Sequence, residues 1–478
     1  MRPLRSSFLL LGAALAAACS DNPPATPNAG GSGGAGGSGG GGGTGGDPSV
    51  VDSGTTADAT PDGGPKGDSG SGEVRFKRHT LDPMLAGPAY ASVADMDNNG
   101  KLDVIISSFG TITTSLPPGQ VRIYKQGDTL DAWTVETVVP ESEGVKFPNQ
   151  NTVADLDNDG DLDILVPGGF FTCNLTFIPN NTPCGALLWY ERTPSGFTKH
   201  VLSQGEARFY HHGVLIDLDN DGTKDLVTVA EEQAIGDAGV NASETMWFKG
   251  IGSGDRFETT KRVLGPGLGG FPRPRDIDGD GDIDFAAAEF YVAGESFAWL
   301  ENKGTSGTTW DRHVINADSG RAIQLWLVDN LYGDGVMHAV GANHTNTAKA
   351  TMPDPQESAV FVFDKPSDPT QPWIKHSISQ GIVSIPGSGM SAQFAPGIFG
   401  YGDIDGDGDI DLAVSGDGDP NVYWLEQTGP GTWKTHVLET ELEQAGGMVI
   451  ADLNHDGRNE IVVTGYTDNV VYVYEREP

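Results

Sequence analysis

Residues 155–163 read Asp-Leu-Asp-Asn-Asp-Gly-Asp-Leu-Asp, with aspartates at alternate positions before a single glycine. Closely similar stretches of nine residues recur along the chain, with their glycines at intervals of 49 to 73 residues. A fixed unit repeated at this spacing indicates a repeat architecture, here with seven units. The six acidic loops are 95–103, 155–163, 217–225, 276–284, 403–411 and 452–460, and the degenerate loop is 330–338.

Each acidic loop lies between two short runs of β-forming residues. In the second unit the run Asn151-Thr-Val-Ala precedes the loop, and Leu162-Asp-Ile-Leu-Val follows it. An aromatic run such as Val422-Tyr-Trp-Leu-Glu comes next, and then a fourth run such as Trp433-Lys-Thr-His-Val-Leu. Four strands per unit with turn residues between them predict the blades of an all-β, seven-bladed propeller.

The two ends of the repeated region complete the last unit. The opening run Arg75-Phe-Lys-Arg-His-Thr-Leu matches the fourth-strand pattern, whereas the final run Val470-Val-Tyr-Val-Tyr-Glu matches the third. The sequence therefore predicts that an N-terminal strand closes the last four-stranded blade. Such closure removes the open sheet edges that favour aggregation.

From about residue 74 to its end, the chain resembles the integrin-alpha-type FG-GAP repeat family, also described as VCBS repeats. The resemblance rests on the aspartate and glycine pattern of the acidic loops at blade spacing. Phe399-Gly400 is a remnant of the Phe-Gly motif that gives the family part of its name. The resemblance implies a seven-bladed β-propeller that carries calcium in these loops.

The residues of the acidic loops also favour calcium on chemical grounds. Calcium takes roughly six to eight oxygen ligands, and the loops offer side-chain oxygens at positions 1, 3, 5 and 9 around a glycine turn. An EF-hand would need glutamate at position 12, where Val166, Ala287 and Val414 occur instead. Four carboxylates crowded at one place repel one another unless a cation is bound.

The sequence therefore predicts six calcium sites and an empty degenerate loop, where Asn330, Tyr332, Asp334 and His338 form a poor oxygen cage. The predicted ligands are Asp95, Asp97, Asn99 and Asp103; Asp155, Asp157, Asp159 and Asp163; Asp217, Asp219, Asp221 and Asp225; Asp276, Asp278, Asp280 and Asp284; Asp403, Asp405, Asp407 and Asp411; and Asp452, Asn454, Asp456 and Glu460.

The first 72 residues divide into two segments that precede the repeats. Residues 1–19 resemble a bacterial lipoprotein signal peptide, with a basic start, a short apolar run and Cys19 as the lipidation site. Residues 20–72 are rich in glycine, serine, proline and aspartate, which predicts a disordered tether. Residues 73–478 would then form a propeller held at a bacterial cell envelope, at the outer membrane or cell surface, by the N-terminal lipid alone.

The remaining cysteines and the charge restrict the class of protein further. Cys173 and Cys184 are an even pair in an exported chain, which predicts a disulfide. The formal net charge of −37 excludes nucleic-acid binding through overall charge. Nothing in the sequence requires a partner subunit, and a monomer is expected.

Repetition separates structural histidines from candidate functional ones. Five histidines occupy the same place in the fourth strand of different units, which favours packing or hydrogen bonding over catalysis. These are His79, His200, His313, His376 and His436. The unrepeated residues are His211, His212, His344, Trp326, Arg273 and Arg275.

The long irregular connections all fall at the end of the blades opposite the acidic loops. Propellers commonly place a ligand on such a loop-rich face, around the central axis. The candidate ligand face there consists of Phe209, Tyr210, His211, His212, Phe271 and Arg273. Ordinary packing around the axis is the alternative for this cluster.

Two functions of different classes remain open, and a non-enzymatic one is favoured. The first is a binding or adhesion module that presents the loop-rich face to a glycan or protein. The second is a polysaccharide lyase or hydrolase, with His211 or His212 as base and Arg273 as charge neutraliser. A surface protein without a specific ligand is a third possibility.

Overall fold

The computed structural model describes residues 74–111, 116–174, 182–232, 242–252, 256–291, 295–304, 309–347, 357–385, 393–440 and 442–477. Within these ranges, 28 strands form seven antiparallel sheets of four strands each. Two short 3-10 helices, Glu141–Glu143 and Phe171–Asn174, lie in connections. The predicted all-β, seven-bladed propeller is confirmed.

The first three blades are built from consecutive strands. The first contains β2 (Pro88–Ala94), β3 (Asp103–Ser108), β4 (Gln120–Gln126) and β5 (Trp133–Val139). The second contains β6 (Thr152–Ala154), β7 (Asp163–Gly168), β8 (Gly185–Thr193) and β9 (Gly196–Glu206). The third contains β10 (Phe209–Ile216), β11 (Asp225–Glu232), β12 (Ala242–Phe248) and β13 (Arg262–Pro266).

The next three blades repeat this order. The fourth contains β14 (Arg273–Arg275), β15 (Asp284–Ala288), β16 (Phe297–Asn302) and β17 (Trp310–Asn316). The fifth contains β18 (Ala322–Asp329), β19 (Met337–Asn343), β20 (Val360–Asp364) and β21 (Ile374–Ser377). The sixth contains β22 (Phe399–Gly402), β23 (Asp411–Ser415), β24 (Val422–Gly429) and β25 (Thr432–Glu439).

The seventh blade joins the two ends of the repeated region. It contains β26 (Ala445–Ala451), β27 (Glu460–Gly465), β28 (Val470–Arg476) and, as its outermost strand, β1 (Phe76–Asp82). Strands β1 and β28 pair antiparallel, with Lys77 opposite Glu475. The predicted closing strand is therefore confirmed.

Seven apolar clusters separate the blades, one at each interface around the ring. Successive residues of a strand point to opposite faces of its sheet, so a strand buried on both faces serves two clusters. In β3, Val104 and Ile106 pack towards the seventh blade, whereas Ile105 packs towards the second. The ring therefore closes by the same packing that joins every other pair of blades.

Tryptophan side chains fill part of these interfaces. Trp189, Trp247, Trp299 and Trp424 belong to four different inter-blade clusters. Large aromatic side chains bury a large apolar area, which suits them to the space between the packed faces of neighbouring blades.

The predictions for the signal peptide, Cys19 and the tether lie outside the described residues. Among the described residues, no helix is long and apolar enough to cross a membrane.

Candidate functional site

The acidic loops connect the first strand of each blade to the second strand. Loop 155–163 leaves β6 and enters β7, and its ninth residue, Asp163, is the first residue of β7. The ninth residue begins the second strand in all six acidic loops. Because the first strands of all blades run in the same direction along the central axis, these loops lie at the same end of the propeller.

A pair of left-handed residues shapes each loop. Asp155 accepts hydrogen bonds from the backbone amides of Asp159 at 3.2 Å and Gly160 at 3.1 Å. Gly160 has a φ of +96° and Asn158 a φ of +58°, a region that glycine and asparagine tolerate best. The glycine at position 6 is recognisable in the sequence, whereas the role of position 4 was not predicted. All seven copies have Asn, Gly or His in this conformation at position 4.

The carboxylate at position 9 is the buried anchor of each acidic loop. Asp284 is fully buried and accepts hydrogen bonds from the amides of Ile277 and Asn302, both at 2.8 Å. It thus ties the loop to the third strand of its blade. Burial, with the neighbouring carboxylates of Asp278 and Asp280, raises the pKa of Asp284 to about 8. An uncompensated negative charge is therefore unfavourable at this position.

Five of the acidic loops bring three carboxylates together at positions 1, 3 and 9. In each of them, one oxygen from every carboxylate lies within 4.8 Å of the others, and the group can hold a metal ion. The fifth-position side chains are not part of these close groups. The five groups are Asp95, Asp97 and Asp103; Asp155, Asp157 and Asp163; Asp217, Asp219 and Asp225; Asp276, Asp278 and Asp284; and Asp403, Asp405 and Asp411.

Basic side chains neutralise part of the charge in three loops. The Lys249 ammonium contacts the Asp219 carboxylate and lies 2.7 Å from Asp221 Oδ2. Arg458 pairs with Asp456 in the last loop, and Arg256 Nη2 lies 3.7 Å from Asp157 Oδ2. A metal ion in loop 217–225 would therefore share Asp219 with an ammonium group.

The last acidic loop differs from the other five because position 3 is an amide. Asn454 Nδ2 donates a hydrogen bond to Glu460 Oε1 at 3.1 Å, while Asn454 Oδ1 accepts one from the Asp456 amide at 2.9 Å. Burial raises the pKa of Glu460 to about 8. It also raises the pKa of the aspartates at this position in the other acidic loops. The loop keeps the acidic-loop turn but lacks the three-carboxylate group.

In the degenerate loop, the aspartate pairs with a histidine of the same loop. His338 takes position 9, and its Nε2 lies 3.1 Å from Asp334 Oδ2 while its Nδ1 lies 3.0 Å from Asp364 Oδ1. The pKa of Asp334 is lowered by its hydrogen bonds to Val336 and His338, against the opposing effect of burial. An imidazole thus occupies the place where the other loops have a carboxylate.

A cavity of about 580 Å³ opens on the central axis at the end opposite the acidic loops. Its lining residues lie beside the start of the first strands and beyond the end of the second strands, and the cavity is therefore on the loop-rich face. The volume is in the range that holds one small organic molecule. Nine of its lining residues are aromatic: Tyr90, Phe109, Phe147, Phe170, Phe271, Phe290, Tyr291, Phe394 and Tyr466.

The aromatic rings contact one another along the cavity wall. The Phe109 ring lies 5.2 Å from the Phe147 ring between centroids, and Phe147 lies 5.6 Å from Phe170. On another part of the wall, Phe290 lies 4.9 Å from Tyr291 and 5.8 Å from His344. These distances are typical of edge-to-face and tilted aromatic pairs, and they give a rigid apolar wall.

Three carboxylic acids and two histidines interrupt this wall: Glu231, Asp417, Glu443, His211 and His344. His211 Nε2 lies 3.1 Å from Glu231 Oε2, and Gln444 Nε2 donates to Asp417 Oδ1 at 2.6 Å. Burial raises the pKa of Asp417, although His344 and Gln444 oppose the shift. The cavity thus combines aromatic faces with a few acidic groups.

The predicted ligand face is only partly brought together by the fold. His211 and Phe271 line the cavity, and their rings lie 5.5 Å apart. Phe209 is buried behind them against His211, and His212 is fully buried beside Phe271.

The other two residues of the predicted face point into inter-blade packing. Tyr210 is buried, and its hydroxyl donates to Glu206 Oε2 at 2.8 Å. Arg273 lies over the Trp326 ring at 3.2 Å and donates from Nε to the Leu325 carbonyl. Neither residue lines the cavity.

The predicted disulfide between Cys173 and Cys184 is present, with the two Cα atoms 5.7 Å apart. Both cysteines pack in one cluster with Phe147 and Phe170, which line the cavity. The covalent link therefore supports part of the cavity wall.

The repeated histidines have the structural environment that repetition suggested. His200 and His436 stack on Trp189 and Trp424, and His313 packs against Trp299. All five pair with an acidic side chain, as in His376 Nε2 at 2.7 Å from Asp364 Oδ2. None of the five lines the cavity.

A comparison with protein families agrees with the repeats. A family model for FG-GAP-like repeats matches residues 95–166 and 403–463, two segments that contain four of the acidic loops. The chain therefore carries FG-GAP-like repeats on a seven-bladed β-propeller. No curated protein matches the chain.

Two solved structures are similar in fold at low sequence identity. The alpha-L-arabinanase of Penicillium chrysogenum, complexed with arabinobiose, is 11% identical with a TM-score of 0.44, over 85% of this chain and 99% of that chain. BBS1N in complex with ARL6DN, soaked with lead, is 10% identical with a TM-score of 0.46, over 84% and 96% of the two chains. Likeness at this level says nothing about a ligand of this chain.

Proposed function

We propose that this chain, with its FG-GAP-like repeats and seven blades, is a calcium-stabilised propeller lipoprotein that binds a glycan or protein ligand without catalysis. The aromatic cavity on the loop-rich face carries the proposal. A wall of nine aromatic residues around about 580 Å³ would be costly to leave open to water unless a ligand covered it. A ligand group inserted there would bury its apolar surface against the rings.

Calcium is the metal whose preferences best fit the acidic loops. The converging groups offer carboxylate oxygens only, which are the hard ligands that calcium prefers, and the described groups include no histidine or cysteine. Burial, together with the charge of Asp405, raises the pKa of Asp411, and a bound ion would offset both effects. The ions would then stabilise the end of the ring opposite the ligand.

The sequence of residues 1–72 supports the export and anchoring part of the proposal. A lipid on Cys19 and a tether of residues 20–72 would hold the propeller away from the membrane of a bacterial envelope. The face with the cavity would be free to reach ligands outside the cell or in the periplasm.

An enzyme that acts on polysaccharides receives less support from the geometry. That alternative needs His211 or His212 close to Arg273, but Arg273 packs on Trp326 outside the cavity lining. His212 is fully buried as well. The predicted base and the predicted charge neutraliser therefore do not meet in the cavity.

Capture of ligands by the full-length protein in calcium tests the proposal. Polysaccharides and envelope proteins are offered to wild type, to Phe290→Ala in the cavity wall, and to the control Val437→Ala on an outer strand. Val437 is 53% exposed and distant from the cavity lining. We expect capture by wild type and the control but not by Phe290→Ala, and no unsaturated or shortened sugar products. Capture that Phe290→Ala retains, or turnover of a polysaccharide, would overturn the proposal.

A further inference from the structure

The polar groups of the axial cavity are acidic in a wall that is otherwise aromatic. Glu231, Asp417 and Glu443 are among its described lining residues, which include no lysine or arginine. Arg321 lies outside this lining set, with its guanidinium 5.5 Å from the centre of the Phe290 ring. The described lining therefore offers acidic side chains and aromatic faces, but no lysine or arginine that could pair with the acids.

The acids come from separate blades, and their charges act across the same space. Glu231 is the penultimate residue of the second strand of the third blade. Asp417 follows the second strand of the sixth blade, and Glu443 precedes the first strand of the seventh blade. Tyr90, from the first blade, has its pKa raised by burial and then by the charges of Asp417 and Glu231. Two acids on opposite sides of the axis thus act on one hydroxyl in the wall.

Aromatic faces and carboxylates both attract organic cations. The face of an aromatic ring carries partial negative charge, which attracts a cation placed over it, most strongly when the pair is shielded from water. A nearby carboxylate adds Coulomb attraction that is strong in a poorly solvated site. The same two features repel an anion, and they give a neutral ligand only its apolar contacts.

One buried polar atom supports a ligand in this space. His211 is 8% exposed and lines the cavity, and its Nδ1 has no hydrogen-bond partner. Its Nε2 is already held by Glu231 at 3.1 Å. A buried ring nitrogen without a partner costs free energy, and a polar group on a bound molecule would satisfy it.

We propose that the axial cavity binds a cationic group of the glycan or protein ligand, a quaternary or protonated amine with an apolar body, between its aromatic wall and the acids Glu231 and Asp417. This inference rests on the proposed binding function and names the chemistry of the ligand. It also excludes acidic sugars as occupants of the cavity, because their carboxylates would face these acids.

Calorimetric titration of the full-length, calcium-loaded protein with three matched probes tests the inference. The probes are choline, its uncharged isostere with a tert-butyl group in place of the trimethylammonium, and an anion in which this tert-butyl group is joined to a carboxylate. We expect choline to bind about tenfold more tightly than the isostere, and the anion not to bind. Equal affinity for choline and isostere, or no choline binding, overturns the inference.

These failures are distinct from failure of the binding function. If the isostere binds as well as choline, or if choline does not bind while Phe290→Ala still abolishes ligand capture, the cavity is a binding site for another chemistry. If capture is also independent of Phe290, the binding function itself is wrong.

Charge-neutral variants separate the cation contact from general packing. Glu231→Gln and Asp417→Asn keep the size of each side chain, and asparagine suits the positive φ of 48° at position 417. We expect each variant to weaken choline binding about fivefold without changing isostere binding. The control Asp128→Asn changes an exposed acid that contacts Lys101 of the first acidic loop, and it leaves choline binding unchanged. Unchanged choline affinity in both folded cavity variants, verified by circular dichroism, overturns the assignment.

Discussion

The imidazole of His200 stacks on the indole of Trp189, with ring centroids 4.0 Å apart and planes within 13°. The two residues face each other across strands β8 and β9. His200 Nε2 also lies 2.7 Å from Glu191 Oε2. The same trio recurs in the sixth blade, where His436 stacks on Trp424 and pairs with Glu426. A histidine that recurs with the same partners on an outer strand supports a blade.

His200→Ala should therefore affect stability and leave ligand binding unchanged. Loss of the stacked ring and its hydrogen bond should lower the free energy of unfolding by about 1 kcal/mol. Denaturant unfolding measures this change, and calorimetry with choline measures the affinity. A changed affinity in the folded variant would contradict the separation of repeated from unrepeated histidines.

Calcium stoichiometry should distinguish the degenerate loop from the acidic loops. Asp334 is paired with His338, so Asp334→Ala should not change the number of calcium ions bound. The matched change Asp278→Ala removes one of three converging carboxylates and should lose one ion. Equilibrium dialysis or calorimetry gives the count. An equal loss in both variants would contradict the assignment of the degenerate loop as empty.

The disulfide should contribute to both stability and the cavity. Closing a separation of 11 residues restricts the unfolded chain, and the double variant Cys173→Ser, Cys184→Ser should lower the free energy of unfolding by about 3 kcal/mol. Because the link packs against Phe147 and Phe170, choline binding should weaken as well. Unchanged unfolding in denaturant would show that the loop is held without the link.

Glu289 should make stability depend on pH. It is 1% exposed, and its Oε1 lies 2.9 Å from Arg312 Nη2. Burial raises its pKa to about 8, which the charge of Arg312 only partly offsets. The folded protein then keeps this proton up to about pH 8, whereas the unfolded chain loses it near pH 4.5. The free energy of unfolding therefore falls as pH rises between these values.

Comparison with Glu289→Gln isolates this effect from the other acids. Denaturant unfolding at pH 5 and pH 8, with saturating calcium, gives the variant-minus-wild-type difference at each pH. The variant should gain stability relative to wild type at the higher pH, on the order of a few kcal/mol. A difference that is the same at both pH values would show that Glu289 does not retain its proton.

The sequence predicted the blades and loops because each is a local pattern repeated along the chain. The carboxylate and glycine positions of a turn lie within nine residues, and Asp155, Gly160 and Asp163 act together inside one loop. The closing strand was predictable for the same reason, since β1 carries the fourth-strand pattern. Repetition also identified His200 as structural.

The cavity was not predictable in the same way because its wall is collected from distant parts of the chain. Tyr90, Glu231, Phe290 and Asp417 share no local pattern, and only the ring brings them to the axis. One signal was available. Aromatic residues follow the second strand within two positions in four blades: Phe109, Phe170, Phe290 and Tyr466. The position of Arg273 was misleading. It begins the first strand of the fourth blade, which suggested a place on the ligand face, but its side chain packs on Trp326.

We claim that divalent ions in the acidic loops stabilise one end of the ring. Thermal unfolding with calcium and with chelator, combined with a count of bound ions, tests this claim. We expect at least five calcium ions per chain, one for each three-carboxylate group, and an unfolding temperature higher by roughly 10 °C or more in millimolar calcium. No bound calcium, or the same unfolding temperature in calcium and in chelator, would contradict the claim.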